Sequence, residues 1–182
     1  LLLGEKVKDV LVTGATGGVG SIAIMILSKM GYDVHAVTGK KDKHEYLKNL
    51  GAKNILDRKE FEGESKLLEK GIWDGVVDTV GGPALTKIFA QTKPTGIVAA
   101  CGNAGGIKIN TTVMPFIIRG VKLWGIDSSA ASLVRRVFVW NEASKLIDFE
   151  KLKTFTKELT FKELLETYPK LLKGEYFGRA IV

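Results

Sequence analysis

The residues of this chain that could do chemistry begin with a run of glycines, VTGATGGVGS at 12–21. Gly14, Gly17 and Gly20 stand at G-x-x-G-x-x-G spacing, a variant of the dinucleotide-binding fingerprint. A pyrophosphate approaches backbone most closely where a helix begins, because the free N–H groups and the dipole there favour a dianion. A Cβ at the point of closest approach would hold the phosphate away, so that position calls for glycine. The bland alternative is a tight β–α turn whose glycines serve packing alone. A phosphate-gripping P-loop is disfavoured, since no Lys-Ser/Thr pair follows the glycines.

A second signal stands about twenty residues on. An NAD site usually places Asp or Glu there to accept the ribose 2′-OH. This chain has Thr38-Gly39-Lys40-Lys41 instead, with no acid. A carboxylate would repel a 2′-phosphate, whereas a hydroxyl, a close backbone N–H and an ammonium group would hold it. The expectation is NADPH preference; its rival is a solvated lysine turn. A charge-assisted hydrogen bond is worth roughly 1.5–3 kcal/mol, so loss of Lys40 should weaken NADPH by about tenfold or more.

The remaining reactive side chains are sparse. Cys101, the single cysteine, ends an apolar run and reads as a small buried thiol rather than a nucleophile. It excludes a disulfide framework and a Cys-rich zinc site. His35 and His44 are the two histidines, and no pair of histidines or carboxylates has metal-ligand spacing. The Trp, Phe and Met residues read as core.

Elements of alternating type must position these residues. KDVLVT (8–13) is predicted as a buried strand, and Val19, Ile22, Ala23, Ile26, Leu27 and Met30 recur at helical spacing before Gly31 stops the helix. Further strands are predicted at 33–38, 53–57, 73–80, 95–102 and 121–127. Asp42 and Glu45 form a capping-box pattern before a helix that ends at Gly51, with Leu47 and Leu50 facing inward. Helical stretches follow around 83–91, 112–119 and 132–147, then a Lys-rich stretch and a strand-like GRAIV. Strict strand–helix alternation implies right-handed crossovers. The predicted fold is α/β: a doubly wound, mainly parallel sheet of the Rossmann type, six strands with helices on both faces.

Composition agrees with this and narrows the class. The chain has 182 residues, 45% hydrophobic and 26% charged, which suits one globular domain and excludes wholesale disorder. The net charge of +7 favours anionic ligands, but the lysines are scattered, so no nucleic-acid partner is expected. No apolar run reaches the ~18–20 residues of a membrane span, and LLLGEKVKDV reads as too short for a secretory signal. A cytoplasmic location without membrane contact is expected.

TGATGGVGS also fits the T-G-x-x-x-G-x-G turn of short-chain dehydrogenases through Thr13, Gly14, Gly18 and Gly20. Those enzymes carry a Tyr-x-x-x-Lys pair. Tyr32, Tyr46, Tyr168 and Tyr176 are followed at that spacing by Ala36, Leu50, Leu172 and Ala180, so that reading becomes a minor alternative.

The chain resembles instead the cofactor half of a medium-chain dehydrogenase/reductase, in the zinc-free branch of acryloyl-CoA reductases and quinone oxidoreductases. The resemblance rests on VTGATGGVGS, VTGKKDKHEYLKNLGA (37–52), DTVGG (78–82), VAACGNAGG (98–106), TTVMPFIIRGVKLWGIDS (111–128) and GRAIV (178–182). It implies NADP(H) as cofactor, with Thr16, Gly17, Gly18 and Val19 lining the pyrophosphate. Thr38, Gly39 and Lys40 would surround the 2′-phosphate, Arg58 would add a second cation, and Asn103, Ile117 and Ser128 would border the nicotinamide. Relatives usually carry Arg at Lys40 and an apolar residue at Asn103. The implied reaction is hydride transfer to the β-carbon of an α,β-unsaturated carbonyl or to a quinone, with no metal and with catalytic residues unassigned. The implied small-molecule substrate is a CoA thioester or a quinone.

The resemblance divides the chain into an NADP-binding domain (1–150) and a segment (151–182) that would return to a GroES-like substrate domain outside this sequence. The expectation is therefore that the chain is a fragment or a truncated, non-catalytic NADPH-binding module of such an enzyme. An isolated GRAIV strand would expose backbone groups, so it is expected to be disordered or borrowed by a neighbour. Strand 121–127 would be an open edge through which a homodimer pairs, unless Lys108, Lys122 and the loop after Ser128 protect it.

Overall fold

The computed structural model describes residues 8–182, so the reading of the opening segment as too short for a leader falls mainly outside the described residues. The chain alternates β1 (Asp9–Val12), α1 (Gly18–Lys29), β2 (Asp33–Thr38), α2 (His44–Leu50), β3 (Asn54–Asp57), β4 (Trp73–Asp78) and α3 (Gly82–Ala90). It continues through β5 (Thr92–Ala100), α4 (Met114–Arg119), β6 (Lys122–Gly125) and α5 (Leu133–Leu146). The first six strands form one sheet in the order β3-β2-β1-β4-β5-β6, every pair parallel. The doubly wound Rossmann-type fold is as expected.

Strand periodicity explains why both faces are covered. Within β1, Leu11 and Val12 are fully buried but belong to different apolar clusters, one on each side of the sheet. Leu11 and Val98 meet Leu85, Ile88 and Phe89 of α3. Val12, Val34 and Ala36 meet Ile24 of α1 and Leu47 and Leu50 of α2. Each such aliphatic side chain contributes roughly 1.5–3 kcal/mol on burial, and the two clusters together lock the strands in register.

Several local expectations are corrected. Asp42 does not cap α2: it lies in a single 3-10 turn (Lys41–Lys43) and pairs with Lys43 at 2.9 Å, while α2 starts without a side-chain cap. A one-turn offset of the helix start removes the geometry the pattern needs. β5 begins earlier than predicted, at Thr92, because Pro94 and Thr95 (φ 63°) are absorbed in an irregularity opposite Trp73–Gly75. Apolar bulk is also less internal than expected. Trp73, Phe61, Phe89 and Met25 are buried, yet Trp124, Phe138, Trp140 and Phe161 are exposed.

The tail departs most from expectation. The Lys-rich stretch folds as α6 (Phe149–Thr154), β7 (Thr156–Glu158) and α7 (Phe161–Leu172), and the GRAIV segment is ordered, against the expectation of disorder. It forms β8 (Arg179–Ile181), parallel to β7 in a separate two-stranded sheet. Its backbone demand is met internally, since Leu159 N–H donates to Ile181 and Arg179 N–H donates to Phe155. Asp148 caps α6, and Thr160 with Glu163 makes a full capping box on α7.

Candidate functional site

The sheet order reverses between β1 and β4, so a crevice opens beyond their carboxyl ends, where ligands of open α/β sheets bind. A cleft of about 670 Å³ lies there, walled by Thr13, Gly14, Thr16, Thr38, Lys40 and Arg58, with Val80 and Gly105 from the far side and Leu171–Glu175 across the mouth. A second hollow of about 660 Å³, between Ser65 and Lys108, holds none of the predicted site residues.

A buried polar knot fixes the floor. Thr13 Oγ1 donates to Asp78 Oδ1 at 2.7 Å and accepts from Thr79 N–H at 2.9 Å, while Thr79 Oγ1 donates to the Thr13 carbonyl. Asp78, fully buried, also accepts from Gly81 N–H at 2.8 Å. These bonds tie the glycine turn to the DTVGG loop. Gly14 sits at φ 57°, and a Cβ there would strike Thr79 Oγ1, so no other residue serves that position.

The opening of α1 passes a fit test for a phosphate. Gly17 is its N-cap and no side chain caps it, so the first N–H groups have no intrahelical acceptor. A Cβ on Gly20 would enter the Gly14 carbonyl, so glycine lets the helix come against the turn. The space that a Cβ on Gly18 would need is taken instead by the side chain of Arg179. Sequence reasoning missed that cation, because it assigned GRAIV to a distant partner; the closing G-R was its only trace. Here Gly178 N–H donates to the Thr16 carbonyl at 3.2 Å, which brings Arg179 over the helix start.

At the tip of β2, buried Thr38 accepts from Lys40 N–H at 3.1 Å. The Lys40 ammonium donates to the carbonyls of Tyr176 and Glu175 at 2.9 and 3.2 Å. Burial pushes its pKa below the usual lysine value, offset in part by Asp42. Arg58 lies across Gly39, where a Cβ would crowd its side chain, and pairs loosely with Glu62 at 3.8 Å. It sits in a one-turn 3-10 helix (Arg58–Phe61) that Asp57 and Glu60 cap reciprocally.

Of the other predicted residues, Gly17, Gly18 and Val19 stand at the start of α1, outside the cleft lining. Asn103, Ile117 and Ser128 are also outside it: Asn103 is exposed beside lining residues Ala104 and Gly105, Ile117 is 71% exposed on α4, and Ser128 accepts from Arg136 after β6. Cys101 is exposed, contrary to the expected burial, because β5 ends one residue before it. Its thiol donates to the Asp78 carbonyl at 3.3 Å, and partial enclosure, with the nearby Asp78 carboxyl, raises its pKa. His35 bridges Asp9 and Asn54 within the sheet.

Comparison with known proteins bears on what this cleft is. The chain is 42% identical over 174 residues to the acrylyl-CoA reductase AcuI of Ruegeria pomeroyi, covering 95% of this chain and 53% of that protein. It superposes on the yhdH oxidoreductase of Salmonella enterica, solved in complex with NADP, with a TM-score of 0.93 at 43% identity, covering 96% of this chain and 54% of that one. For the Bacillus subtilis protein yhfP, solved with NAD bound, the TM-score is 0.90 at 40% identity, over 98% and 55% of the two chains. The chain thus spans about half the length of the relatives it matches. The matching family model is described as zinc-binding dehydrogenase, yet among the described residues no three His, Cys, Asp or Glu gather to hold a metal. That family model covers residues 18–149, well over half the chain, and the chain belongs to the zinc-binding dehydrogenase family.

Proposed function

We propose that this chain is the nucleotide-binding part of an NADPH-dependent oxidoreductase that reduces an α,β-unsaturated carbonyl of the acrylyl-CoA type or a quinone. The observation that carries the reading is one cleft in which Gly14 and Thr16 of the glycine turn meet the cations Lys40 and Arg58, next to an uncapped helix start at Gly17. The relatives named for acrylyl-CoA and quinone reduction, and the one solved with NADP, support the same reading.

In this reading the N–H groups that open α1, at Gly18 and Val19, receive the pyrophosphate next to Thr16, and Arg179 adds a cation to it. Thr38, Gly39, Lys40 and Arg58 receive the 2′-phosphate. Asn103, Ile117 and Ser128 border the nicotinamide side. The bound cofactor supplies the hydride. The chain orients it by fixed dipoles and cations in a cleft walled by buried side chains, where they cost no reorganisation. Residues 1–150 form the cofactor domain and 151–182 the segment that meets a GroES-like substrate domain. A homodimer through the β6 edge and a cytoplasmic location complete the proposal. Among the described residues, no helix is long and apolar enough to cross a membrane.

Paired titrations with NADPH and NADH, followed by turnover of acrylyl-CoA and a quinone, test it. The expected result is tighter NADPH binding, weakened about tenfold or more by Lys40→Ala. Equal affinity for both cofactors in the intact chain defeats the 2′-phosphate assignment. Binding without turnover favours a non-catalytic NADPH-binding module.

A further inference from the structure

The end of the chain reaches both places assigned to phosphate. The connector between α7 and β8 offers the carbonyls of Glu175 and Tyr176 to Lys40 Nζ, at 3.2 and 2.9 Å. Further on, Gly178 N–H donates to the Thr16 carbonyl, and Arg179 lays its side chain against Gly18 at the start of α1. Phe177 stands between the two. Its ring packs edge-on against Tyr46 with centroids 4.6 Å apart, and Lys43 Nζ lies 4.8 Å from its centre. It sits on the margin of the apolar cluster that α1, α2 and Phe155 share.

We propose that Phe177 is a positioning residue: anchored on Tyr46, it sets the tail so that Lys40 and Arg179 together hold the 2′-phosphate and the pyrophosphate of one NADPH. This rests on the reading of the cleft as an NADPH site with Lys40 and Arg179 in those places.

The anchor matters most on the Lys40 side. There α7 buries no residue completely, and the N–H groups of Glu175 and Tyr176 donate back to Lys170 near the end of that helix. Phe177 is the connector's side chain in the apolar cluster. Beyond it the path is tightly held by backbone. Gly178 takes φ 74°, where a Cβ would strike the Phe155 carbonyl, and that carbonyl accepts from Arg179 N–H at 2.8 Å.

The tail can do this with a cofactor in place. An ammonium carries three N–H donors, so the two carbonyls leave Lys40 one for a phosphate oxygen. They also pin the end of a flexible side chain, so the phosphate meets a cation whose freedom is already lost. Without the ring the carbonyls would wander and Lys40 would regain that freedom, while the backbone bonds of Gly178 and Arg179 persist. NADPH, which uses both cations, then loses more than NADH, which uses Arg179 alone.

Calorimetric titration of the full chain with each cofactor tests this, with circular dichroism and urea unfolding to establish that every variant is folded. Phe177→Ala should weaken NADPH by about tenfold, the size of one charge-assisted hydrogen bond, and NADH by about threefold or less. Phe177→Tyr keeps the ring and should restore both affinities. In a chain already carrying Lys40→Ala and Arg179→Ala, Phe177→Ala should weaken neither cofactor further. A merely structural loss would persist in that background and would not distinguish the cofactors. If Lys40→Ala and Arg179→Ala each weaken NADPH while Phe177→Ala weakens neither cofactor, or both equally, the positioning role is overturned and the site reading stands. If Lys40→Ala and Arg179→Ala leave NADPH binding unchanged, the site reading fails and takes the positioning role with it.

Discussion

Thr13 shows how much one hydroxyl can organise. It joins Asp78 and the Thr79 amide at the floor of the cleft, and the fully buried Asp78 carboxylate cannot turn to water. Thr13→Val keeps the shape and removes both bonds. Stranding a buried polar group costs about 1–3 kcal/mol, so urea unfolding should show a loss of that size with an unchanged slope. Cys101 makes a different point. Its pKa is raised by partial enclosure and then by Asp78, so the folded chain holds less thiolate at neutral pH than a free cysteine does. Iodoacetamide should therefore alkylate native Cys101 more slowly than the unfolded thiol at pH 7–8, the rate climbing only above the ordinary thiol range of about 8.5. An alkylation rate equal to that of the unfolded chain would contradict this. That Gly14, Thr38 and Lys40 share one cleft was legible from sequence, because backbone proximity and charge sign depend on residue type at fixed spacing. Arg179 was not, since its place depends on where the tail folds.

Among the elements, the bend in β5 is the clearest site of stored strain. Thr95 adopts φ 63°, the one non-glycine residue in the left-handed region among the described residues. For a β-branched side chain that conformation costs about 1–3 kcal/mol, against roughly 0.5–1 kcal/mol for the added freedom of glycine in the unfolded chain. Thr95→Gly should thus stabilise by about 1 kcal/mol, read as a higher denaturation midpoint. The six-strand sheet was legible because buried strands announce themselves as short β-branched runs closed by glycine. The tail was not: β7 and β8 are short, and α7 buries no residue completely, so apolar periodicity says little there. Its capping residues did carry the signal. Thr160 and Glu163 form a working box, whereas the same pattern at Asp42 and Glu45 fails because a 3-10 turn occupies the place of the helix start.

For the molecule as a whole, β6 is an open edge of the large sheet, with Trp124 54% exposed on it. An edge of this kind presents unpaired backbone groups, and a two-fold copy is a simple way to satisfy them. The proposed dimer should appear in sedimentation as a mass that falls towards the monomer on dilution, and Trp124→Lys should shift that fall to higher concentration. A monomer mass at every concentration removes the dimer.

The bond between Gly178 and Thr16 joins the first helix entrance to the last strand. Whatever order the intervening elements take in folding, the proposed nucleotide cradle is not complete until Gly178 and Arg179 have folded back onto the glycine turn. A chain cut just before Gly178 would therefore lose that bond and the Arg179 cation together, and should hold a dinucleotide more weakly than the uncut chain.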